Sequence, residues 1–142
     1  MSCTIRSRAP SCLDFGEALG EAIRSFPEDI KVAVFGTGGM SHQLSGARAG
    51  LINEEFDRNF LAKIETDPQS LARISHEEYI REAGSEGIEM IMWLIMRGAL
   101  GDDIRRVHDT YHVPASNTAA ALALFAVEAP SRVPAMEAGV NG

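Results

Sequence analysis

The sequence predicts an α/β domain: a central, mostly buried sheet flanked by helices. Three observations carry this. Residues 30–35 (IKVAVF) form a β-branched run too apolar to have one wet face, as in strands covered on both sides. A stretch with helical spacing comes just before it, and helix followed by strand is the order of α/β sheets. The chain has 142 residues, 45% of them hydrophobic, enough for one sizeable core.

In chain order, residues 1–9 read as a loose N-terminal arm, residues 10–128 as the domain, and residues 129–142, with Pro130 and Pro134, as a disordered tail. From residue 11 to residue 25, Leu13, Ala18, Leu19, Ala22 and Ile23 recur at helical intervals, with Ser11 as N-cap. Pro27 stops that helix, and residues 30–35 form a strand. Residues 41–53 make a long loop with Gly46 and Gly50, and long ordered loops are often functional. Residues 54–65 are an amphipathic helix with Phe56, Phe60, Leu61 and Ile64 on one face, and residues 68–74 a short one. Ser75 and Glu78 have the spacing of a capping box, and Gly84 ends the helix they open. The next helix starts at Ser85, carries Ile88, Ile91, Leu94 and Ile95, and is apolar on nearly all sides, hence central. Residues 104–113 read as a strand and residues 114–117 as a turn. Residues 118–127 are compatible with helix or strand, and their alanine content favours helix at the start.

The net charge of −7 and the pI near 5.0 argue against a nucleic-acid backbone as partner, since a phosphate-tracking surface needs excess Lys and Arg. Cys3 and Cys12 give neither a disulfide framework nor a metal-ligand spacing, so a reducing, cytoplasmic setting is expected. No signal peptide or membrane span is expected: the longest apolar stretch, residues 88–100, contains Glu89 and Arg97.

Chemistry concentrates in two places. The run VAVFGTGGMSH delivers His42 from a strand through a glycine-rich turn to the rim of the sheet, where functional side chains tend to sit. The glycines could alternatively cradle a phosphate, but neither GK[ST] nor GxGxxG follows. Glu89 lies inside the apolar helix between Ile88 and Met90, where a carboxylate needs a partner, a cation or an outward-facing edge. His76, His108 and His112 have no zinc-motif spacing. On a strand, His108 and His112 would share a face about 13 Å apart.

Three motifs, GTGGMSHQLSGARAGLINEEFD (residues 36–57), EAGSEGIEMIMWLIMRGAL (residues 82–100) and YHVPASNTA (residues 111–119), together resemble the catalytic β subunit of class III extradiol dioxygenases of the protocatechuate 4,5-dioxygenase type. The resemblance runs from about residue 10 to about residue 127. It implies the C-terminal part of that β-subunit fold and Fe(II)-dependent cleavage of a catecholic aromatic acid, such as protocatechuate or gallate, by O2. It further implies that His42 is the acid/base, Glu89 the carboxylate ligand of non-haem Fe(II), and Ser116 and Asn117 the groups holding the substrate's polar substituent, with His112 nearby. A small α subunit closing the site is implied too. The family's two histidine ligands lie in its N-terminal half, and residues 1–35 contain no histidine. The chain is therefore expected to correspond to the C-terminal half, to associate with itself or with a separate N-terminal half, and, alone, to be either inactive or a non-catalytic interaction module.

Overall fold

A computed structural model of the chain describes residues 9–128. The helices are α1 (Ala9–Arg24), α2 (Glu54–Thr66), α3 (Pro68–Ala72), α4 (His76–Ala83) and α5 (Met92–Leu100). A 3₁₀ turn, Gly87–Ile91, leads into α5, and two strands follow, β1 (Ile104–His112) and β2 (Ala120–Val127). The strands pair antiparallel as one two-stranded sheet, with an irregularity between Arg106 and His108. The α/β reading holds in its mix of helices and sheet, but the described sheet is a two-stranded ribbon with no fully buried residue rather than a central, mostly buried one. Residues 1–8 and 129–142, read as arm and tail, lie outside the described residues.

The helices bury a common core. Phe60 stands edge-on to both Tyr79 and Trp93, and the fully buried Tyr79 donates its hydroxyl to the Leu71 carbonyl at 2.9 Å. α1 crosses α5 at backbone contact: a Cβ on Gly16 would lie 2.2 Å from the Ile95 carbonyl oxygen, and one on Gly98 2.3 Å from that of Leu13. Local signals set the helix ends. The Asn53 side chain caps α2 through the Phe56 N–H, and Ser75 Oγ accepts the Glu78 N–H at 3.1 Å, so half of the expected capping box forms. Gly84 ends α4 as expected.

Four further expectations need correction. First, residues 30–35 are not a strand, because no strand lies beside them to complete a ladder among the described residues. Second, residues 120–127 are strand from their start, since pairing with β1 outweighs the helix propensity of alanine. Third, Ser11 is not an N-cap, as α1 already runs through it from Ala9. Fourth, Glu89 belongs to the 3₁₀ turn rather than to an apolar α-helix, and its side chain is 49% exposed.

One face of β2 (Ala121, Ala123, Phe125) packs on the core, while Leu122 and Leu124 on the other are more than half exposed. No helix among the described residues is long and apolar enough to cross a membrane.

Candidate active site

The backbone of residues 40–42 is clamped from two sides. Met40 N–H donates to the Ala119 carbonyl at 2.9 Å, Ala119 N–H donates to that of Ser41 at 3.3 Å, and His42 bridges to Thr118. Across from them, His42 N–H donates to the Ala83 carbonyl at 2.8 Å, and the His42 carbonyl accepts the Gly87 N–H at 3.2 Å. Gly84 makes the close approach feasible. Its φ is +94°, and a Cβ there would sit 2.2 Å from the His42 carbonyl oxygen. The helix break visible in the sequence is thus also the seat of the histidine.

The His42 ring is buried, with Nδ1 2.9 Å from the Met40 carbonyl oxygen. A carbonyl only accepts, so Nδ1 carries a proton and Nε2 is the nitrogen turned toward the site. Nε2 lies 3.9 Å from Glu89 Oε1. That oxygen accepts the Gly39 N–H at 2.6 Å, and Glu89 Oε2 has no partner among the described residues. The glycines let the chain pass this close: a Cβ on Gly38, at φ +127°, would lie 2.6 Å from the Glu89 carbonyl oxygen. The Trp93 indole N–H donates to the Gly38 carbonyl at 3.1 Å and pins the turn. With Gly39 N–H committed to Glu89 and Met40 N–H to Ala119, two donors of the turn are already used, which disfavours a phosphate cradle.

Beneath His42 lies a residue the motif reading missed. Asp57 is fully buried and accepts three hydrogen bonds: Ser41 N–H at 2.8 Å, Ser41 O–H at 2.6 Å and Tyr111 O–H at 2.9 Å. Ser41 Oγ in turn accepts the Asn53 N–H at 2.7 Å. Burial pushes the Asp57 carboxyl above its ordinary range, against the lowering effect of these bonds and of nearby His42. Burial and the bond to Asp57 likewise push the Tyr111 phenol up. A signal was present in the sequence: residues 57, 60, 61 and 64 fall on one helical stripe, so Asp57 occupies an otherwise apolar face.

Ser116 and Asn117 lie on the exposed turn between β1 and β2, one to two residues before Thr118, and so come to the His42 side of the molecule. Asn117 adopts φ 51°, and its amide nitrogen faces Gly50 of the long loop. Neither side chain hydrogen-bonds to His42 or Glu89. His112 is exposed and pairs with Ala120, His108 is exposed on β1, and His76 opens α4. None of these three joins the His42–Glu89 pair. Among the described residues no three His, Cys, Asp or Glu side chains converge as a metal site. Glu89 offers one free carboxylate oxygen, so these residues do not by themselves meet the needs of a two-histidine, one-carboxylate iron centre.

The fold and site define an α/β domain that places a tautomer-fixed histidine against a half-exposed carboxylate at a glycine turn. Residues 1–123 match the family described as the catalytic LigB subunit of aromatic ring-opening dioxygenase, and the chain belongs to that family. It is also 46% identical over 116 residues to a gallate dioxygenase of Pseudomonas putida, a match covering 82% of this chain and 34% of that relative. The chain thus spans about a third of the length of the relative it matches.

Proposed function

We propose that this chain supplies the base-and-carboxylate part of an Fe(II)-dependent extradiol dioxygenase site, one that opens a catecholic aromatic acid such as gallate or protocatechuate with O2 in aromatic catabolism. The observation that carries it is the His42–Glu89 pair, 3.9 Å apart, with the histidine's other nitrogen tied to a carbonyl. Family membership supports assigning ring-opening chemistry to this pair. Fe(II), completed by two ligands from outside the described residues, would supply a Lewis acid and a template for substrate and O2. Glu89 Oε2 is the ligand atom this chain would offer, held in place by the Gly39 N–H on Oε1.

The protein's own part is proton handling. His42 Nε2 accepts a proton from a catechol hydroxyl, and the imidazolium that forms is stabilised on one side by the Met40 carbonyl and on the other by Glu89. The same nitrogen returns the proton later in the cycle. Ser116 and Asn117, on the turn beside Thr118, are the groups assigned to the carboxylate of the substrate. The ring opens beside the diol, and both atoms of O2 enter the product. A small α subunit closing the site, a hetero-oligomer and a cytoplasmic location complete this reading, the last in keeping with the −7 charge.

One observation favours a second reading for the chain by itself. The lack of a three-residue metal cluster among the described residues suits a non-catalytic interaction module that keeps the fold without iron.

Anaerobic Fe(II) binding followed by O2 uptake with gallate and protocatechuate separates the two readings. It is done on the chain alone and on a chimera in which the chain replaces the matched third of the Pseudomonas putida relative. The dioxygenase reading expects uptake by the chimera, loss of iron in its Glu89→Ala form, and iron retained but turnover down about 10²-fold or more in its His42→Ala form. Iron bound equally well by the Glu89→Ala form would overturn it.

A further inference from the structure

β1 and β2 differ in a way that gives the sheet a direction. β1 carries Arg105, Arg106, His108 and Asp109, the charged dress of an edge strand. β2 has the sequence AALALFAV, with no charge and apolar side chains on both faces, which is the composition of an interior strand. Yet β2 has β1 as its one strand partner, so its other edge is unpaired. Across from that edge run residues 32–36, equally apolar. Residues 31–37 have no backbone hydrogen-bond partner among the described residues. Between the two runs lies a cavity of about 470 Å³, floored by Trp93, Met96 and Leu100, with no charged side chain in its lining. Phe35 beside it is 84% exposed.

Two apolar runs with unsatisfied backbone groups, facing one uncharged gap, are the two sides of a missing ladder. Exposed apolar patches rimmed by open strand edges mark interaction sites. We propose that this gap is a strand slot. Its occupant is an uncharged, apolar β-strand that pairs with the free edge of β2 and with residues 31–36. It comes from polypeptide equivalent to the two thirds of the Pseudomonas putida gallate dioxygenase that the chain does not match. The chain's own ends do not have the composition: residues 129–142 carry Pro130 and Pro134, which cannot donate to a ladder, and residues 1–8 carry Arg6 and Arg8. The inference rests on backbone pairing and apolar surface. It would stand if the proposed iron chemistry failed.

Amide hydrogen exchange tests it without any need for activity. In the chain alone, the amides of Val32, Ala33, Val34 and Phe35 exchange at nearly unstructured rates. In the chimera with the relative's remaining polypeptide, these amides and those on the free edge of β2 gain protection together, by about tenfold or more. Ala33→Pro removes one donor at an exposed position of a run that pairs with nothing among the described residues. It leaves the melting curve of the chain unchanged and abolishes the gain on the residue 32–36 side of the chimera. Three results would overturn the inference: protected amides at residues 32–35 in a monomeric chain, unchanged exchange or insolubility in the chimera, or concentration-dependent protection in the chain alone, which would make a second copy the occupant.

Discussion

Asp57→Asn probes the buried anchor under His42. In the wild type one carboxylate receives Ser41 N–H, Ser41 O–H and Tyr111 O–H, all shielded from water. An amide keeps one acceptor oxygen and turns an NH2 toward donors that need an acceptor, so at least one buried donor is left unmatched. Each such loss costs about 1–3 kcal/mol, partly offset because a buried charge no longer has to be desolvated. The net expectation is about 2 kcal/mol of destabilisation near neutral pH. The pH dependence has a definite sign. Because burial raises the Asp57 carboxyl above its unfolded value, the native state holds its proton to higher pH than the unfolded state does. That contribution to stability is present at low pH and is lost as pH rises from the unfolded value through the folded one. The amide of the variant does not titrate, so the gap between wild type and variant is wider at about pH 4 than at about pH 7. Urea melts at both pH values, with m held in common, measure it. A loss under about 0.5 kcal/mol, or a gap that widens toward pH 7, would refute the picture of a saturated, desolvated carboxylate.

Glu89→Gln preserves an acceptor for the Gly39 N–H while removing the charge. Its melting temperature should match the wild type while Fe(II) binding in the chimera falls at least about tenfold, read by anaerobic titration. Gly84→Ala should cost about 3 kcal/mol or more in a chemical melt, because the new Cβ meets the His42 carbonyl at φ +94°; a neutral substitution there would mean the clamp on His42 is loose.

Local signals were legible in the sequence where they act locally. Ser75, Asn53 and Gly84 do what their positions ask, because caps and helix breaks are decided within one turn of chain. The strand at residues 104–113 and the residues of the His42–Glu89 pair were legible as well, the pair through a resemblance between motifs rather than through spacing. What could not be read depends on partners far along the chain. Residues 118–127 become strand because β1 is there to pair with them. Residues 30–35 have the composition of a strand and no neighbour to make them one. Asp57 looked like a helix-face polar residue until Ser41 and Tyr111, 16 and 54 positions away, closed around it.

The open slot and the active-site pair share one segment of chain, and that gives them unequal security. His42 is held by backbone bonds to Ala83 and Gly87 and by its bridge to Thr118, none of which lines the slot. Glu89 is held through Gly39, and the Gly38–Gly39 turn continues directly from residues 31–37, which have no backbone partners. The Trp93 indole on the Gly38 carbonyl is therefore a tether between that unpaired run and the turn that holds the carboxylate. Trp93→Phe removes that bond and keeps most of the aromatic packing against Phe60. The expected cost is about 1 kcal/mol of stability, with a much larger local effect: the Gly39 amide loses protection about tenfold while the His42 amide does not. If both amides loosen equally, the turn and the histidine form one rigid unit and the tether is redundant. If only Gly39 loosens, filling the slot is what finally fixes Glu89, and iron affinity in the chimera should tighten in step with protection at residues 32–35.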